Sequence, residues 1–307
     1  VSATRRGATG LAGILPIDKP AGMTSHDVVA QVRRASGEGR VGHAGTLDPL
    51  ATGLLVVLVG PYTRLEPYLS GATKSYDARI AFGTSTDTDD IEGAVVDVAP
   101  VPDSVLDAHA AQDVLDSFLG ASMQRPPAYS AIKVGGRVAH RAARAGEALE
   151  LAPRPIEVTS AQLVRIDRDA RTWDVSFVVS KGTYVRALAR DIGLACGTVA
   201  TLSALRRTAA GRLGASDSET LDDVVSAAAE GHLAALFADP IDALGLPVVV
   251  AGEAAVANGR TLPSEIAPDL PSGALAAVTV DGRLHGIYRR ADDRLVVEAV
   301  VGGGEAS

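Results

Sequence analysis

Apolar residues along the chain fall into short runs with two different periods. Gly13 to Asp18 (GILPID) reads as a strand that stops at Lys19-Pro20, and Thr24-Ser25 then cap a helix whose inward stripe is Val28, Val29 and Val32. Gly53 to Gly60 is a continuous apolar run of strand length, whereas Lys74 to Phe82 alternates as a half-buried strand does. From Asp103 to Leu119 the apolar residues Val105, Leu106, Val114, Leu115, Phe118 and Leu119 recur at helical spacing. Tyr129 to Val134 predicts a strand turned at Gly135-Gly136 into a basic helix near 137–145. Trp173 to Ser180 predicts another strand, leading through Lys181-Gly182 to Thr183 as the N-cap of a helix that reaches about Gly193. Helices and strands mix without a regular βα alternation. The pattern therefore predicts an α+β fold on a large mixed, mostly antiparallel sheet.

Asp239-Pro240 and Gly245-Leu-Pro247 interrupt the periodic segments and mark a boundary, which predicts a large domain over 1–240 and a small one over 245–307. Beyond it, Pro247 to Val250, a short helix, Ala274 to Val280, Gly286 to Arg289 and Leu295 to Val301 read as a small β-rich module, with Asp281-Gly282 as a hairpin turn. At 307 residues and 47% hydrophobic content the chain exceeds what one core comfortably fills, so two unequal domains are expected. No run approaches the roughly 18 apolar residues of a membrane helix. The first residues lack a secretory signal's apolar stretch, so the expectation is a soluble, cytoplasmic monomer. Cys196 is the single cysteine, which excludes an internal disulfide and any thiolate cluster.

Net charge is −8, yet its distribution is uneven. Residues 213–307 hold 5 Lys+Arg and 15 Asp+Glu, so the first 212 residues keep 24 basic and 22 acidic groups and are slightly positive. Arg125, Lys133, Arg137, Arg141 and Arg144 precede the next acid, Glu147. Lys181, Arg186, Arg190, Arg206, Arg207 and Arg212 face Asp191 alone. Two local basic surfaces on an acidic protein suit a folded RNA's phosphates; solvated faces are the plainer reading of the charges by themselves. Asp87, Asp89, Asp90 and Glu92 miss the calcium-loop pattern and are expected to form a solvated turn.

The densest stretch is Val41 to Gly53, VGHAGTLDPLATG, with three glycines, His43 and Asp48 ahead of a buried strand. Pro49 restricts Asp48 to extended geometry and so helps aim its carboxylate. Gly42-His-Ala-Gly-Thr-Leu-Asp-Pro49 resembles the signature of TruB-type tRNA pseudouridine synthases. Five further segments agree in order: Lys19 to His26 (KPAGMTSH), Lys74 to Tyr76 with Gly83 to Asp89, Gln124 to Lys133, Ser180 to Arg186 and Leu205 to Thr208. Together they cover about residues 13–214. Two positions depart from the family habit, His140 in place of tyrosine and Leu213 in place of phenylalanine.

The resemblance implies the pseudouridine synthase fold, a small RNA-binding C-terminal domain of the PUA kind, and conversion of uridine 55 in the tRNA T-arm without metal or cofactor. It implies Asp48 as the nucleophile and Arg186 as its cationic partner. Tyr76 is implied to stack on the flipped base and to be the candidate for removing the C5 proton, although a phenol is a weak base at neutral pH. Tyr184 and Leu205 line the pocket, His43 fills the vacated stack, and Lys19 and Pro20 join the substrate-binding set. The basic residues Arg125, Lys133, Arg137, Arg141 and Arg144 would grip the T-stem by shape. Burial alone favours a neutral acid, so a carboxylate held ionised in a dry pocket needs a fixed cation. Arg186 and Arg190, four apart on one helical flank, repel each other unless anions lie near. Two rival readings are a tRNA-binding or tRNA-folding protein on the same scaffold and a metal-dependent RNA hydrolase.

Overall fold

The computed structural model describes residues 9–130, 132–134, 137–139, 147, 149, 151–256 and 260–302. The chain divides into two compact units, one formed by 1–72 together with 209–307 and the other by the contiguous stretch 73–208.

The first unit opens with β1 (Gly13–Lys19), β2 (Val41–His43) and β3 (Thr52–Val59). β1 and β3 are antiparallel from Gly13↔Val59 to Lys19↔Gly53, and β2 lies along the end of β3 from Val41↔Val59 to His43↔Val57. β3 is buried over nearly its whole length, which is why its sequence is uniformly apolar rather than alternating. The helix Ser25–Ser36 begins in a capping box: Thr24 Oγ1 accepts the Asp27 N–H and the Asp27 carboxylate accepts the Thr24 N–H at 2.9 Å. Its buried residues include the predicted Val28, Val29 and Val32.

The second unit holds β4 (Lys74–Phe82), a ribbon of β5 (Thr84–Thr86) and β6 (Val95–Val98), β7 (Gly120–Gln124), the short pair β8 (Lys133–Val134) and β9 (Arg137–Val138), β10 (Arg154–Asp167), β11 (Thr172–Val179) and most of β12 (Ala200–Ala210). Its sheet runs in the order β12-β4-β11-β10-β7. The alternation read in 74–82 is observed residue by residue, with Lys74, Tyr76, Ala78, Ile80 and Phe82 buried and Asp77 and Arg79 exposed. Trp173 is fully buried beside Phe82, and its indole N–H donates to the Val105 carbonyl at 2.7 Å.

Three local expectations are corrected here. The helix read over 103–119 is a 3-10 turn, Asp103–Leu106, followed by the helix Ala108–Asp116, because Asp107 caps a new start by accepting the Ala110 N–H at 2.9 Å. The helix expected to be capped by Thr183 is Val185–Ala195; its N-cap is Tyr184 and no side chain caps it. Arg137 and Val138, expected in a helix, are strand β9, and most of the rest of the 137–145 segment lies outside the described residues.

The chain then returns to the first unit, where β13 (Leu213–Gly214) turns back on the end of β12. Asp239-Pro240 starts a helix, Pro240–Leu244, instead of interrupting one. Asp239 accepts the N–H groups of Ile241 and Asp242, and proline at the first helical position gives up only an N–H that no turn would have bonded. The remaining strands, β14 (Val248–Val250), β15 (Leu262–Pro263), β16 (Leu275–Val280), β17 (Arg283–Ala291) and β18 (Arg294–Val300), form a sheet ordered β14-β16-β17-β18-β15. Only β14 and β16 run parallel. Asp281 and Gly282 make the β16–β17 turn with φ of 48° and 76°, the left-handed pair that a two-residue type I′ hairpin requires. Val249, Val278, Tyr288 and Leu295 form this sheet's own core, while Ala277, Leu284 and Ile287 join Ile14, Leu54, Val56 and Leu58 in a second one. The architecture is α+β and mostly antiparallel, as the sequence predicts. No helix among the described residues is long and apolar enough to cross a membrane.

Candidate active site

In the first unit two of the sequence motifs, 19–26 and 42–49, meet. Lys19, at the end of β1, is fully buried, a placement an ammonium tolerates only when oxygen ligands replace water. Its Nζ donates to the carbonyls of Met23 at 2.7 Å, Pro20 at 2.9 Å and Pro49 at 3.3 Å. The Gly22 N–H also donates to the Pro49 carbonyl, at 2.8 Å. Ser25, the first residue of its helix, accepts the Leu47 N–H at 2.8 Å and donates to the Leu47 carbonyl at 3.1 Å. Residues 47 and 49 are thus bonded from both sides of Asp48, which is itself half-buried between them. Pro20 is exposed on the same loop. His43 ends β2 and meets the exposed His26 edge to face, with ring centroids 5.6 Å apart. Lys19, Pro20, His43 and Asp48 therefore belong to two loops tied together by backbone carbonyls.

In the second unit Arg186 is buried in the first turn of its helix. It donates to the Thr88 carbonyl at 2.8 Å and the Tyr129 carbonyl at 3.0 Å, and its guanidinium lies 3.5 Å from Asp90. Asp90 is buried as well and accepts the Thr88 hydroxyl at 2.7 Å and the Glu92 N–H at 3.1 Å. Arg190, one turn on, pairs with Asp89 at 3.0 Å and with Asp191 at 2.9 Å. The solvated turn expected over Asp87 to Glu92 is corrected in part: Asp87 and Glu92 are exposed, but Asp89 and Asp90 are the anions that let two arginines sit four residues apart. Burial pushes the Asp89 carboxyl above its ordinary value, against the pull of Arg190 and Arg186. No group of three or more His, Cys, Asp or Glu side chains that could hold a metal occurs among the described residues.

Tyr184 enters this helix through a clasp that sequence reasoning missed. The Gln124 amide accepts its N–H at 2.9 Å and donates to its carbonyl at 3.1 Å, fixing the residue that leads into the first turn. The half-buried ring packs on Ile132, Ala139 and Leu151. Tyr76 is buried on β4 opposite Phe177 of β11, and Leu205 is buried on β12, the neighbouring strand. Arg125 is exposed and borders a cavity of ~260 Å³ with Asp87, Asp89, Leu149, Leu151 and Arg190. Arg137 is exposed and pairs with Glu147. The Lys133 side chain, His140, Arg141 and Arg144 lie outside the described residues. Gln124 carried no signal of its own, and Ser25 read only as a helix cap. The acidic turn did have one, the unexplained proximity of two arginines.

Residues 33–185 match the sequence model of the TruB family pseudouridylate synthase N-terminal domain, and residues 186–247 match that of the tRNA pseudouridylate synthase B C-terminal domain. A tRNA pseudouridine synthase B of Mycobacterium tuberculosis is 41% identical over 294 residues, covering 94% of this chain and 95% of the relative. The chain belongs to the TruB family. Within that family a Corynebacterium aurimucosum tRNA pseudouridine synthase B is 46% identical over 212 residues, 68% of this chain and 71% of the relative. Among solved structures, a Cbf5-Nop10-Gar1 complex superposes with a TM-score of 0.72 at 26% identity, covering 94% of this chain and 85% of that one. The archaeal box H/ACA sRNP Nop10-Cbf5 complex gives 0.70 at 24% identity, covering 94% and 86%, and shares the fold. The pseudouridine synthase fold expected from the motifs is therefore the observed one. As a TruB-family enzyme the protein is an isomerase that converts uridine in tRNA to pseudouridine.

Proposed function

We infer that the substrate is uridine 55 of the tRNA T-arm and that Asp48 is the nucleophile. The uridine N1–C1′ bond breaks, the detached base turns, and a C5–C1′ bond forms. The C5 proton then leaves and N1 holds a proton. No electrons are gained or lost, so neither a redox cofactor nor an external group enters the balance. A carboxylate suits the task because it can bond transiently to carbon or remove a proton and then depart. Arg186 is its cationic partner by the family resemblance, Tyr76 stacks on the extruded base and is the candidate for taking the C5 proton, and Tyr184 and Leu205 bound the pocket. Extrusion costs a few kcal/mol of lost stacking. His43 and the basic segment beginning at Arg125 recover it through stacking and phosphate contacts.

One observation carries the reading. The backbone on either side of Asp48 is held by Ser25, by Gly22 and by a fully buried lysine. Residues that merely contact RNA do not need that constraint, whereas a nucleophile that must meet one atom of a bound ribose does. The test is Asp48→Asn, with pseudouridine mapped in an unmodified T-arm transcript. Conversion is expected to stop while tRNA binding persists; conversion at the wild-type rate refutes the assignment. A protein whose role is tRNA folding would keep its effect on tRNA structure in the same variant.

A further inference from the structure

We propose that Arg190 is a positioning residue for the isomerisation, fixing the peptide on which Arg186 is seated. The inference rests on the role given to Arg186 above. Three consecutive residues of the acidic turn are shared between two arginines one helical turn apart. Arg186 takes the Thr88 carbonyl at 2.8 Å and lies 3.5 Å from the Asp90 carboxylate, and Arg190 takes the Asp89 carboxylate between them at 3.0 Å. The interleaving works because Asp89 is left-handed, with φ 60°, a conformation that aspartate tolerates better than most side chains do. Its carbonyl is held too, accepting the Leu202 N–H at 3.1 Å.

Arg190 also reaches beyond the turn. Its Nη2 donates to the Arg125 carbonyl at 2.9 Å, at the root of the segment whose Tyr129 carbonyl accepts from Arg186 at 3.0 Å. The two guanidinium groups thus grip the same two segments, and Arg190 does so with its side chain 24% exposed, bordering the ~260 Å³ cavity. Without it, a mostly buried carboxylate at Asp89 loses its guanidinium and the left-handed peptide loses one of its restraints. Asp90 and the Thr88 carbonyl then move, and Arg186 moves with them. Displacements of about 1 Å at groups that orient a reacting atom slow a reaction by about tenfold to a hundredfold without touching binding.

The variants are Arg190→Met, which keeps the side chain's bulk and removes its donors, Arg190→Lys, which keeps the charge, and Asp89→Asn, which keeps a residue tolerant of positive φ. Single-turnover conversion at saturating tRNA is measured beside the tRNA dissociation constant. For Arg190→Met the rate is expected to fall at least about tenfold, with binding within about twofold of wild type. Lysine should restore part of the rate. A rate within about twofold of wild type, or a defect confined to the dissociation constant, overturns the proposal. If Arg190→Met fails to fold, Asp89→Asn decides, and wild-type conversion in that variant overturns it equally. Arg186→Ala separates the two layers. If that variant converts normally, the role given to Arg186 is wrong. If it is inactive while Arg190→Met is normal, only the positioning role of Arg190 is lost.

Discussion

Ser25→Ala tests how the candidate nucleophile is held. Ser25 is 1% exposed and Leu47 3% exposed, and a single hydroxyl serves both the N–H and the carbonyl of Leu47. Alanine removes one oxygen and leaves two buried backbone groups without that partner, each costing about 1–3 kcal/mol. Relaxation toward water lowers the total, so roughly 2–4 kcal/mol of stability is expected to go, a fall in Tm on the order of 5 °C for a chain of this size. The larger effect should be on conversion, because Leu47 directly precedes Asp48, and the bonds that remain, from Lys19 and Gly22 to the Pro49 carbonyl and from the Ala51 N–H to the Asp48 carbonyl, all lie on the far side of it. A carboxylate freed by about 1 Å loses on the order of a hundredfold in rate. The assay is release of tritium from C5-labelled uridine in a tRNA transcript, run well below the Tm of the variant, with circular dichroism melting alongside. If Ser25→Ala melts several degrees lower yet releases tritium at the wild-type rate, the bonds are structural only and the loop does not aim Asp48.

Cys196 should be inert. Burial pushes its thiol up to about 11, so far less thiolate is present, and iodoacetamide labelling should be at least about tenfold slower in the native protein than in denaturant; equal rates would refute it. Asp174 is held below the ordinary carboxylate value by hydrogen bonds from Arg79 at 2.7 Å and Arg165 at 3.0 Å. A depressed carboxylate stabilises the fold above its unfolded value and loses that contribution as pH falls through the folded one, so Asp174→Asn should flatten the stability curve as pH drops below about 4, as followed by urea titration. Thr220→Ala removes the capping box with Asp223 at the start of the helix Leu221–Ala229 and should cost about 1 kcal/mol in the same titration. An unchanged midpoint would mean that this helix end is held by packing alone.

Much of the fold was legible because burial alone dictated it. The alternation of Lys74 to Phe82 and the stripe Val28, Val29, Val32 record which side of a strand or helix faces the core, a property local to the segment. What failed was punctuation. Asp107 and Asp239 both read as continuations or breaks, yet each is a cap whose effect depends on a carboxylate turning back on the next backbone amides. The site divided in the same way. The Asp48 loop announces itself through clustered glycines, a histidine and a proline. The ion pairs of Arg186 and Arg190 join residues about a hundred positions apart, and no local pattern encodes which acids will arrive there. Sequence reasoning could state that two arginines needed anions, but only the folded chain names them.

The first unit is assembled from two stretches of chain separated by the whole of the second. During synthesis residues 73–208 leave the ribosome as an uninterrupted piece, whereas the loop bearing Asp48 is made early and then waits. Ile14, Leu54 and Leu58 share their core with Ala210, Leu213 and Ile287, which are translated at least 150 residues after Leu58. The β1–β3 ribbon must therefore stay soluble and unsatisfied through most of translation. Chaperone dependence and aggregation of stalled chains should consequently track nascent lengths ending before about residue 210, where the early half still lacks its later partner.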